Sequence, residues 1–367
     1  MQIQKYFAPG RVNLIGEHLD YNGGLVLPAA LTLGVELALL PRNDGKIQLS
    51  SPTHSHTLEI DVSDDIAFQT ENDWCNYPLG IIAQMKKEGY AVPSCNLIYN
   101  SNLPEGSGLS SSAAVEIVTA FALLSQTTSR IDLVWLANFC KQVENEFIGV
   151  QCGIMDQYAV ALGRQSHALL IDCAALKHDY IPFETGDYVL LIMNTNKPRS
   201  LVLSKYNERK AECEEALRVI QTTTSDIKNL CEVVPHAIQQ ITDEIIYKRA
   251  RHVVTENLRV KEVIKTLQVN DLSTFGRLMN ASHQSLAADY EVSGMELDTM
   301  VHAAQQVKGC LGARMTGAGF GGCAIALVHT TKMEELVNKV GEVYIKHTGL
   351  MASFYQTEIG DGVSALL

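Results

Sequence analysis

The sequence is poor in aromatic residues and in positive charge. Aromatic side chains make up 7% of its 367 residues, and 29 Lys and Arg face 41 Asp and Glu, which gives a formal net charge of −12. So acidic a chain repels nucleic acid and anionic membranes unless a local basic patch intervenes, and none is visible. An anionic substrate would therefore have to be bound by backbone amides, a few placed cations or a metal ion.

Long hydrophobic runs and closely paired cysteines are also missing. The apolar stretch 25–40 contains Pro28 and Glu36 and is too short to cross about 30 Å of hydrocarbon. No apolar run follows a basic start at the N-terminus, so no signal peptide is expected. Nine cysteines are scattered without a C-x-x-C pair: Cys75, Cys95, Cys140, Cys152, Cys173, Cys213, Cys231, Cys310 and Cys323. This spacing predicts reduced thiols in a cytoplasmic protein, and neither a disulfide framework nor a zinc site.

Hydrophobic patterning predicts a two-domain α+β protein. Gly and Pro usage is ordinary, and at about 150 residues per domain the length favours two domains or one large one. Strands are predicted at 25–40, 47–50, 57–62, 95–100, 167–173, 188–194, 324–329 and 353–356. Helices are predicted at 78–87, 109–124, 132–147, 155–162, 204–222, 243–267, in parts of 271–308, and at 332–347. Strands precede helices in both halves without regular alternation, and a composition shift favours domains at 1–178 and 179–367.

The loop at 104–114, PEGSGLSSSAA, is the most informative segment. It follows a predicted strand and opens a predicted helix, so its glycines permit close backbone approach while free N–H groups and the helix dipole point outward. That arrangement suits a di- or triphosphate. No Lys follows, which excludes the G-x-x-x-x-G-K-[ST] loop. The alternative is a tight turn whose serines cap the helix.

A second glycine-rich loop, 317–322, formally matches G-x-G-x-x-G. It precedes a strand and opens no helix, so the dinucleotide-binding interpretation is rejected. Four glycines in six residues still predict tight backbone packing against a neighbouring element or a ligand.

Polar residues are unusually dense near the N-terminus and could converge on a polyhydroxylated ligand. They are Arg11, Asn13, Glu17, His18, Asp20, Tyr21 and Asn22. A solvated loop is the alternative. Asp156 stands among apolar neighbours at a predicted helix start, where a carboxylate needs a partner or serves as the helix cap. The His54 and His56 pair lacks a further ligand, and no metal is assigned to it.

Taken together, these segments resemble the GHMP kinases, and among them the branch that phosphorylates galactose. The resemblance rests on five stretches in family order, from residue 8 to residue 325. They are GRVNLIGEHLDYNGG (10–24), LPEGSGLSSSAA (103–114), CGIMDQ (152–157), NTNKPRSLVLSKYNERKAECEEA (194–216) and MTGAGFGGCAI (315–325). It implies a two-domain α+β fold with the active site in the interdomain cleft, and ATP-dependent phosphorylation of the anomeric hydroxyl of galactose.

The resemblance also implies residue roles. Asp156 would accept the C1 hydroxyl proton and Arg11 would stabilise that carboxylate and the developing charge. Sugar-binding positions are Glu17, His18, Leu19, Asp20, Gly153 and Tyr206. Nucleotide-binding positions are Ser51, Gly106, Ser107, Gly108, Leu109, Ser110, Ser111 and Ser112. Mg²⁺ would be held by Ser112 and Glu144, and would neutralise the ATP polyphosphate as it enters an acidic protein.

Two features leave the exact sugar open. Leu19 stands where the family usually has Thr, although its side chain should point away from its neighbours if the segment is extended. Pocket volume cannot be read from a sequence, so N-acetylgalactosamine or arabinose are alternative substrates. A non-catalytic galactose sensor should have a damaged phosphate loop or no base, yet both are intact. No nucleic-acid, membrane or protein partner is expected beyond galactose and MgATP.

Overall fold

The computed structural model describes residues 3–70, 74–104, 106–198 and 202–366. Within these ranges the strands are β1 (Gln4–Asn13), β2 (Leu25–Val26), β3 (Pro28–Pro41), β4 (Lys46–Ser51), β5 (His54–Asp61), β6 (Cys95–Ser101), β7 (His167–Asp172), β8 (Lys177–Pro182), β9 (Tyr188–Asn194), β10 (Cys310–Thr316), β11 (Cys323–His329), β12 (Ser353–Thr357) and β13 (Ser364–Leu366). The α-helices are α1 (Asn76–Lys87), α2 (Ser111–Leu124), α3 (Leu133–Val143), α4 (Met155–Leu162), α5 (Val202–Gln221), α6 (Glu244–Gln268), α7 (Leu272–Ser285), α8 (Gly294–Gln305) and α9 (Met333–Thr348).

A six-stranded sheet organises the first half of the chain. Its strand order is β13-β1-β3-β6-β4-β5, antiparallel except where β4 runs parallel to β6. Helix α2 packs on β1 and β3 and also contacts α1, α3 and α4. Its sequence, SSAAVEIVTAFALL, carries one charge and buries most of its side chains, as expected for a helix surrounded by other elements. The phosphate loop at its N-terminus is thereby fixed to the sheet.

A four-stranded antiparallel sheet, ordered β10-β11-β9-β12, organises the second half. Its inner strand β11 reads CAIALVH and is buried along nearly its whole length, which is typical of a strand covered on both faces. Helices α7 and α8 pack on β10, and α6 packs on α5 and α7. A small third sheet, β2-β7-β8, lies between these layers, since α6 also contacts β2 and β8.

The α+β prediction is confirmed, and the predicted strands and helices are found with small differences at their ends. Strands β1, β8, β10 and β13 were not predicted. The segment of β10, CLGARMT, includes a glycine and an arginine and so lacks a strand pattern, but its pairing with β11 makes it a strand. The glycine-rich loop at 317–322 follows directly after this strand. The domain division at 178 and 179 remains a prediction, and it falls within β8.

Helix caps follow the sequence at some helices and not at α2. Asp132, Asp243 and Asp271 accept backbone N–H groups in the first turns of α3, α6 and α7, as N-cap carboxylates do. Ser110, at the cap position of α2, has φ 62° and makes no side-chain cap bond. The prediction that serines cap this helix is wrong at Ser110, because its hydroxyl group is used elsewhere.

Two further expectations concern the whole chain. None of the nine cysteines, all of which lie in the described ranges, is joined in a disulfide, in line with the cysteine spacing. Among the helices of the described ranges, none combines the length and apolar character needed to cross a bilayer.

Candidate active site

Strand β1 comes into direct contact with the phosphate loop at a register shift between Pro9 and Arg11. The Arg11 amide donates a hydrogen bond to the Leu109 carbonyl oxygen at 3.0 Å. A Cβ atom on Gly10 would lie 2.5 Å from Leu103 Cδ2 and 2.8 Å from Leu109 O, so only glycine permits this approach. The strand that carries Arg11 is thereby attached to the loop at 106–112.

Asp156 is held by a planar fork of donors. Arg11 donates from Nε to Oδ1 and from Nη2 to Oδ2, each at 2.8 Å, and from Nη1 to the Gly108 carbonyl oxygen at 2.7 Å. Ser110 Oγ donates to Asp156 Oδ2 at 2.6 Å. The Arg11 side chain is buried, whereas 32% of the Asp156 side chain is exposed. The carboxylate is therefore aimed by buried partners and remains open to a ligand, beside the loop.

The prediction about Leu19 assumed an extended segment. In the structure, residues 17–22 are not extended. His18 has φ 63°, Leu19 is in a helical conformation, and Asp20–Asn22 forms a 3-10 turn. The Leu19 side chain is fully buried in the hydrophobic core. The turn of the chain therefore separates the Leu19 side chain from its polar neighbours, and the alternation of side chains along a strand has no part in it.

Glu17 is almost completely buried and both of its carboxylate oxygens accept hydrogen bonds. Oε2 accepts from the Asn13 amide, and Oε1 accepts from the Gly317 N–H at 2.6 Å. Burial raises the pKa of Glu17, and the Arg314 guanidinium, whose Nη1 lies 3.7 Å from Oε1, opposes that effect. Glu17 therefore connects the N-terminal polar segment to the second glycine-rich loop.

His18 belongs to a buried chain of hydrogen bonds. Its Nδ1 lies 2.8 Å from Tyr21 Oη, which lies 2.8 Å from Tyr290 Oη, which in turn lies 3.1 Å from Cys213 Sγ. His18 Nε2 lies 3.2 Å from a backbone carbonyl oxygen, which assigns the ring proton to Nε2. Burial lowers the pKa of His18 to about 3, so the ring is neutral near pH 7. The Tyr206 ring packs against His18 and Tyr21.

Asp20 and Gly153 are packed against each other. A Cβ atom on Gly153 would overlap the Asp20 carboxylate. Burial, with a smaller contribution from the negative charge of Asp156, raises the pKa of Asp20 to about 7. Asp20 is therefore the acidic side chain of this segment that titrates near neutral pH.

Ser112 and Glu144, the predicted Mg²⁺ ligands, lie together. A hydrogen bond from Ser112 is one of the contacts that oppose the raised pKa of Glu144, whose main cause is burial. The Gln157 amide donates to Glu144 Oε2 at 2.5 Å. Glu116 is fully buried one helical turn after Ser112, and its oxygens lack a well-formed hydrogen bond within the described residues.

The donor set fits Mg²⁺. A hydroxyl, a carboxylate and a nearby under-satisfied carboxyl group are hard oxygen donors of the kind this ion prefers. No group of three or more His, Cys, Asp or Glu residues across the described ranges is arranged to hold a metal. A site with few protein ligands is nonetheless typical of Mg²⁺ that is bound mainly through phosphate oxygens and water.

A cavity of about 650 Å³ opens on the other side of the phosphate loop. Its lining includes Ser51, Trp74, Gly106, Ser111 and Ser112, and His54 stacks on Trp74 with 5.5 Å between ring centroids. A volume of this size accommodates a nucleoside. The remaining predicted loop residues do not line the cavity: Ser107, Leu109 and Ser110 are buried, and Gly108 accepts the Arg11 hydrogen bond.

The loop 317–322 joins antiparallel strands β10 and β11, which confirms that it is not a dinucleotide fingerprint. Five of its six residues have positive φ, including Phe320. A Cβ atom on Gly317 would lie 3.1 Å from the Gly108 carbonyl oxygen. The two glycine-rich loops therefore pack against each other.

Sequence reasoning missed four buried polar side chains beneath the N-terminal segment. His252 Nε2 lies 3.2 Å from the Glu17 carbonyl oxygen, Glu256 accepts the Gly16 N–H at 3.0 Å, and Asn257 accepts the Leu25 N–H at 3.0 Å. Arg314 is the fourth. On α6, His252 and Glu256 stand at positions i and i+4 and so share a helix face, and Asn257 is the next residue along the helix. A polar face of this kind is easily taken for a solvated one.

The fold and the two packed glycine-rich loops define a GHMP kinase. The model of the GHMP kinase N-terminal domain matches residues 76–164, and that of the C-terminal domain matches residues 263–346. A galactokinase galactose-binding signature matches residues 4–41. Galactokinase from Staphylococcus carnosus is 48% identical over 97% of this chain and 93% of its own, and that from Enterococcus faecalis is 45% identical over 98% and 95%. The chain belongs to the galactokinase family, and it is a sugar kinase, a phosphotransferase with an alcohol acceptor.

Solved structures agree with this assignment. Galactokinase from Lactococcus lactis, complexed with galactose, has a TM-score of 0.95 at 43% identity and covers 100% of this chain and 95% of its own. A mevalonate kinase from Methanococcus jannaschii, at 21% identity and a TM-score of 0.69 over 98% of both chains, shares the fold.

Proposed function

We propose that the protein transfers the γ-phosphoryl group of MgATP to the C1 hydroxyl of D-galactose, forming galactose 1-phosphate and ADP. The observation that carries this proposal is the Arg11 fork on Asp156, in direct contact with the phosphate loop. The new bond joins the sugar oxygen to the γ-phosphorus, the bond from that phosphorus to the ADP oxygen breaks, and the hydroxyl proton passes to Asp156.

Asp156 is suited to the role of base. Arg11 fixes the orientation of the carboxylate with two hydrogen bonds, and Ser110 donates a further one to Oδ2. A positioned general base contributes about 10²–10⁴-fold in rate, and phosphoryl transfer otherwise depends on positioning and electrostatics. The exposed part of Asp156 is where the sugar hydroxyl would bind.

The sugar would lie between Asp156 and the segment of Glu17, His18 and Asp20, with Gly153 and Tyr206 completing the pocket. Oriented acceptors distinguish an axial from an equatorial hydroxyl, since an unpaired buried partner costs about 1–3 kcal/mol. The galactose complex of the Lactococcus lactis relative supports galactose as the sugar.

Mg²⁺ would be held by Ser112 and Glu144 together with ATP. When bound, the ion neutralises charge on the polyphosphate. Ser51, Trp74 and Gly106 line the cavity proposed for the nucleoside. Nine cysteines without a disulfide among the described residues support a reducing compartment, and we place the reaction in the cytoplasm.

The decisive experiment measures ADP release from MgATP across a panel of aldoses and N-acetylhexosamines. Galactose is expected to give the highest kcat/KM. Asp156→Asn serves as the matched variant, expected to lose turnover while retaining galactose binding by calorimetry. Galactose binding without ADP release by the unmodified protein would favour a sensor, and a higher kcat/KM for N-acetylgalactosamine or arabinose would change the assigned sugar.

A further inference from the structure

Arg314 is the largest fully buried side chain of the described residues. Its Nη1 donates to the Asn13 carbonyl oxygen at 3.0 Å. Nε and Nη2 have no hydrogen-bond partner among the described residues. A buried guanidinium with two unused donors is costly, so its hydrogen bonds alone do not explain why it lies there. The explanation must lie in its charge.

The charge of Arg314 faces two buried carboxylates. Glu17 Oε1 lies 3.7 Å from Nη1, and Arg314 exerts a larger electrostatic effect on Glu17 than Arg11 does. Glu256 on α6 also feels this charge, but it has a closer partner in Arg259, whose Nε lies 2.6 Å away. Glu17 has no equivalent second ion pair in the described residues, and its other contacts are the neutral Asn13 amide and the Gly317 N–H.

We propose that Arg314 is a positioning residue of the sugar site, which holds the Glu17 carboxylate ionised and oriented and thereby sets the affinity for the sugar. The inference deepens the proposed function and rests on it. Arg314 lies two residues before Thr316, whose hydroxyl also accepts the Asn13 N–H at 2.9 Å. Strand β10 therefore supports the N-terminal polar segment through both a charge and a backbone contact.

The backbone next to Glu17 also has anchors that make no hydrogen bond with Arg314. Glu256 accepts the Gly16 N–H, and His252 lies within hydrogen-bond distance of the Glu17 carbonyl oxygen. Glu256 is itself fixed by Ser282 Oγ at 2.6 Å. Loss of the Arg314 charge should therefore release the Glu17 carboxylate while the backbone anchors persist. This separation makes a selective effect on sugar binding expected.

The test compares Arg314→Met, Arg314→Lys, Glu17→Gln and the double variant Glu17→Gln/Arg314→Met in the full chain. Arg314→Met is expected to raise the KM for galactose about 10-fold or more and to leave the KM for ATP within about twofold. Arg314→Lys keeps the charge and should recover part of the galactose affinity. A purely structural role would change both KM values or only the stability.

The double-mutant cycle identifies the route of the effect. If Arg314 acts through Glu17, the double variant should have a KM for galactose close to that of Glu17→Gln alone. Independent, multiplicative effects would overturn the inference, as would an unchanged galactose KM in Arg314→Met. If Arg314→Met does not fold, the same comparison is made with Arg314→Lys in both backgrounds. An unmodified protein that does not phosphorylate galactose would instead refute the proposed function, and this inference with it.

Discussion

At the scale of single residues, the Asp20 carboxylate occupies the space that a side chain at position 153 would need. Because a Cβ atom at position 153 would overlap the Asp20 carboxylate, Gly153→Ala must displace either Asp20 or the chain before α4. The displacement affects a proposed sugar ligand next to Asp156, the proposed base. A residue with no polar side chain is thus essential to the shape of the site.

Gly153→Ala is expected to raise the KM for galactose about 10-fold while the KM for ATP stays nearly constant. Steady-state kinetics with each substrate varied in turn measures both. Gly341→Ala is the matched control: it lies within α9, its Cβ would lie 3.9 Å from Phe354, and helix propensity predicts a gain of about 1 kcal/mol. Normal galactose kinetics in Gly153→Ala would contradict the assigned packing.

Asp20 also predicts a pH dependence. Its pKa in the folded protein, about 7, lies above its ordinary value of 3.8, mainly because of burial. The folded state therefore binds more protons between these values, and the free energy of unfolding should fall as pH rises from about 4 through about 7. If the sugar needs the ionised acceptor, the KM for galactose should fall over the upper part of that range.

The measurement is the KM for galactose and the unfolding midpoint from about pH 6 to about pH 8, in the unmodified protein and in Asp20→Asn. The variant should have a high KM and lose this part of both pH profiles. Identical pH profiles for the two proteins would show that Asp20 does not titrate near neutrality.

At the scale of elements, the start of α2 shows a side-chain contact to Asp156 in place of a helix cap. Ser110 adopts φ 62° and leaves α2 without a side-chain cap, and its hydroxyl donates to Asp156 instead. Asp132, by contrast, caps α3 through the Val134 and Trp135 N–H groups. The two positions look alike in sequence, since each is a cap-type residue directly before a helix. Their side chains nevertheless make different contacts, Asp132 with the helix backbone and Ser110 with Asp156.

These two residues give opposite predictions. Asp132→Ala should lower the free energy of unfolding by about 1 kcal/mol and leave turnover unchanged, because a cap is lost. Ser110→Ala should lower kcat several-fold with little change in stability, because it removes a hydrogen bond to Asp156 and no cap. Chemical denaturation and kinetics on both variants test this, and a large stability loss in Ser110→Ala would mean that it does support the helix.

Elements with a repeating pattern could be predicted from the sequence, and those defined by a partner could not. Helix α2 and strand β11 have unmistakable apolar patterns, whereas β10 becomes a strand only through its pairing with β11. The glycine-rich loop at 104–114 indicated a phosphate site because backbone geometry is local. The roles of Arg314 and Glu256 depend on contacts across hundreds of residues, and no local pattern encodes such contacts.

At the scale of the whole molecule, the N-terminal polar segment is bonded to the second half of the chain. Glu17 accepts the Gly317 N–H, Gly16 donates to Glu256, and Leu25 donates to Asn257. Together with the contact of α6 with β2, these buried bonds cannot break singly without leaving polar groups unpaired in a dry interior. The two halves of the chain should therefore unfold together.

We expect one cooperative transition in denaturant. Both tryptophans, Trp74 and Trp135, lie in the first half of the chain, so their fluorescence reports that half, while far-ultraviolet circular dichroism is dominated by helices of both halves. The two signals should share one midpoint, and galactose should shift both signals equally. By mass action, galactose at 100 times its Kd should raise the free energy of unfolding by about 2.7 kcal/mol. Glu256→Gln weakens one link between the halves and should separate the midpoints or broaden the transition. Two transitions in the unmodified protein would show instead that the halves are energetically independent. The N-terminal polar segment would then unfold with only one of them.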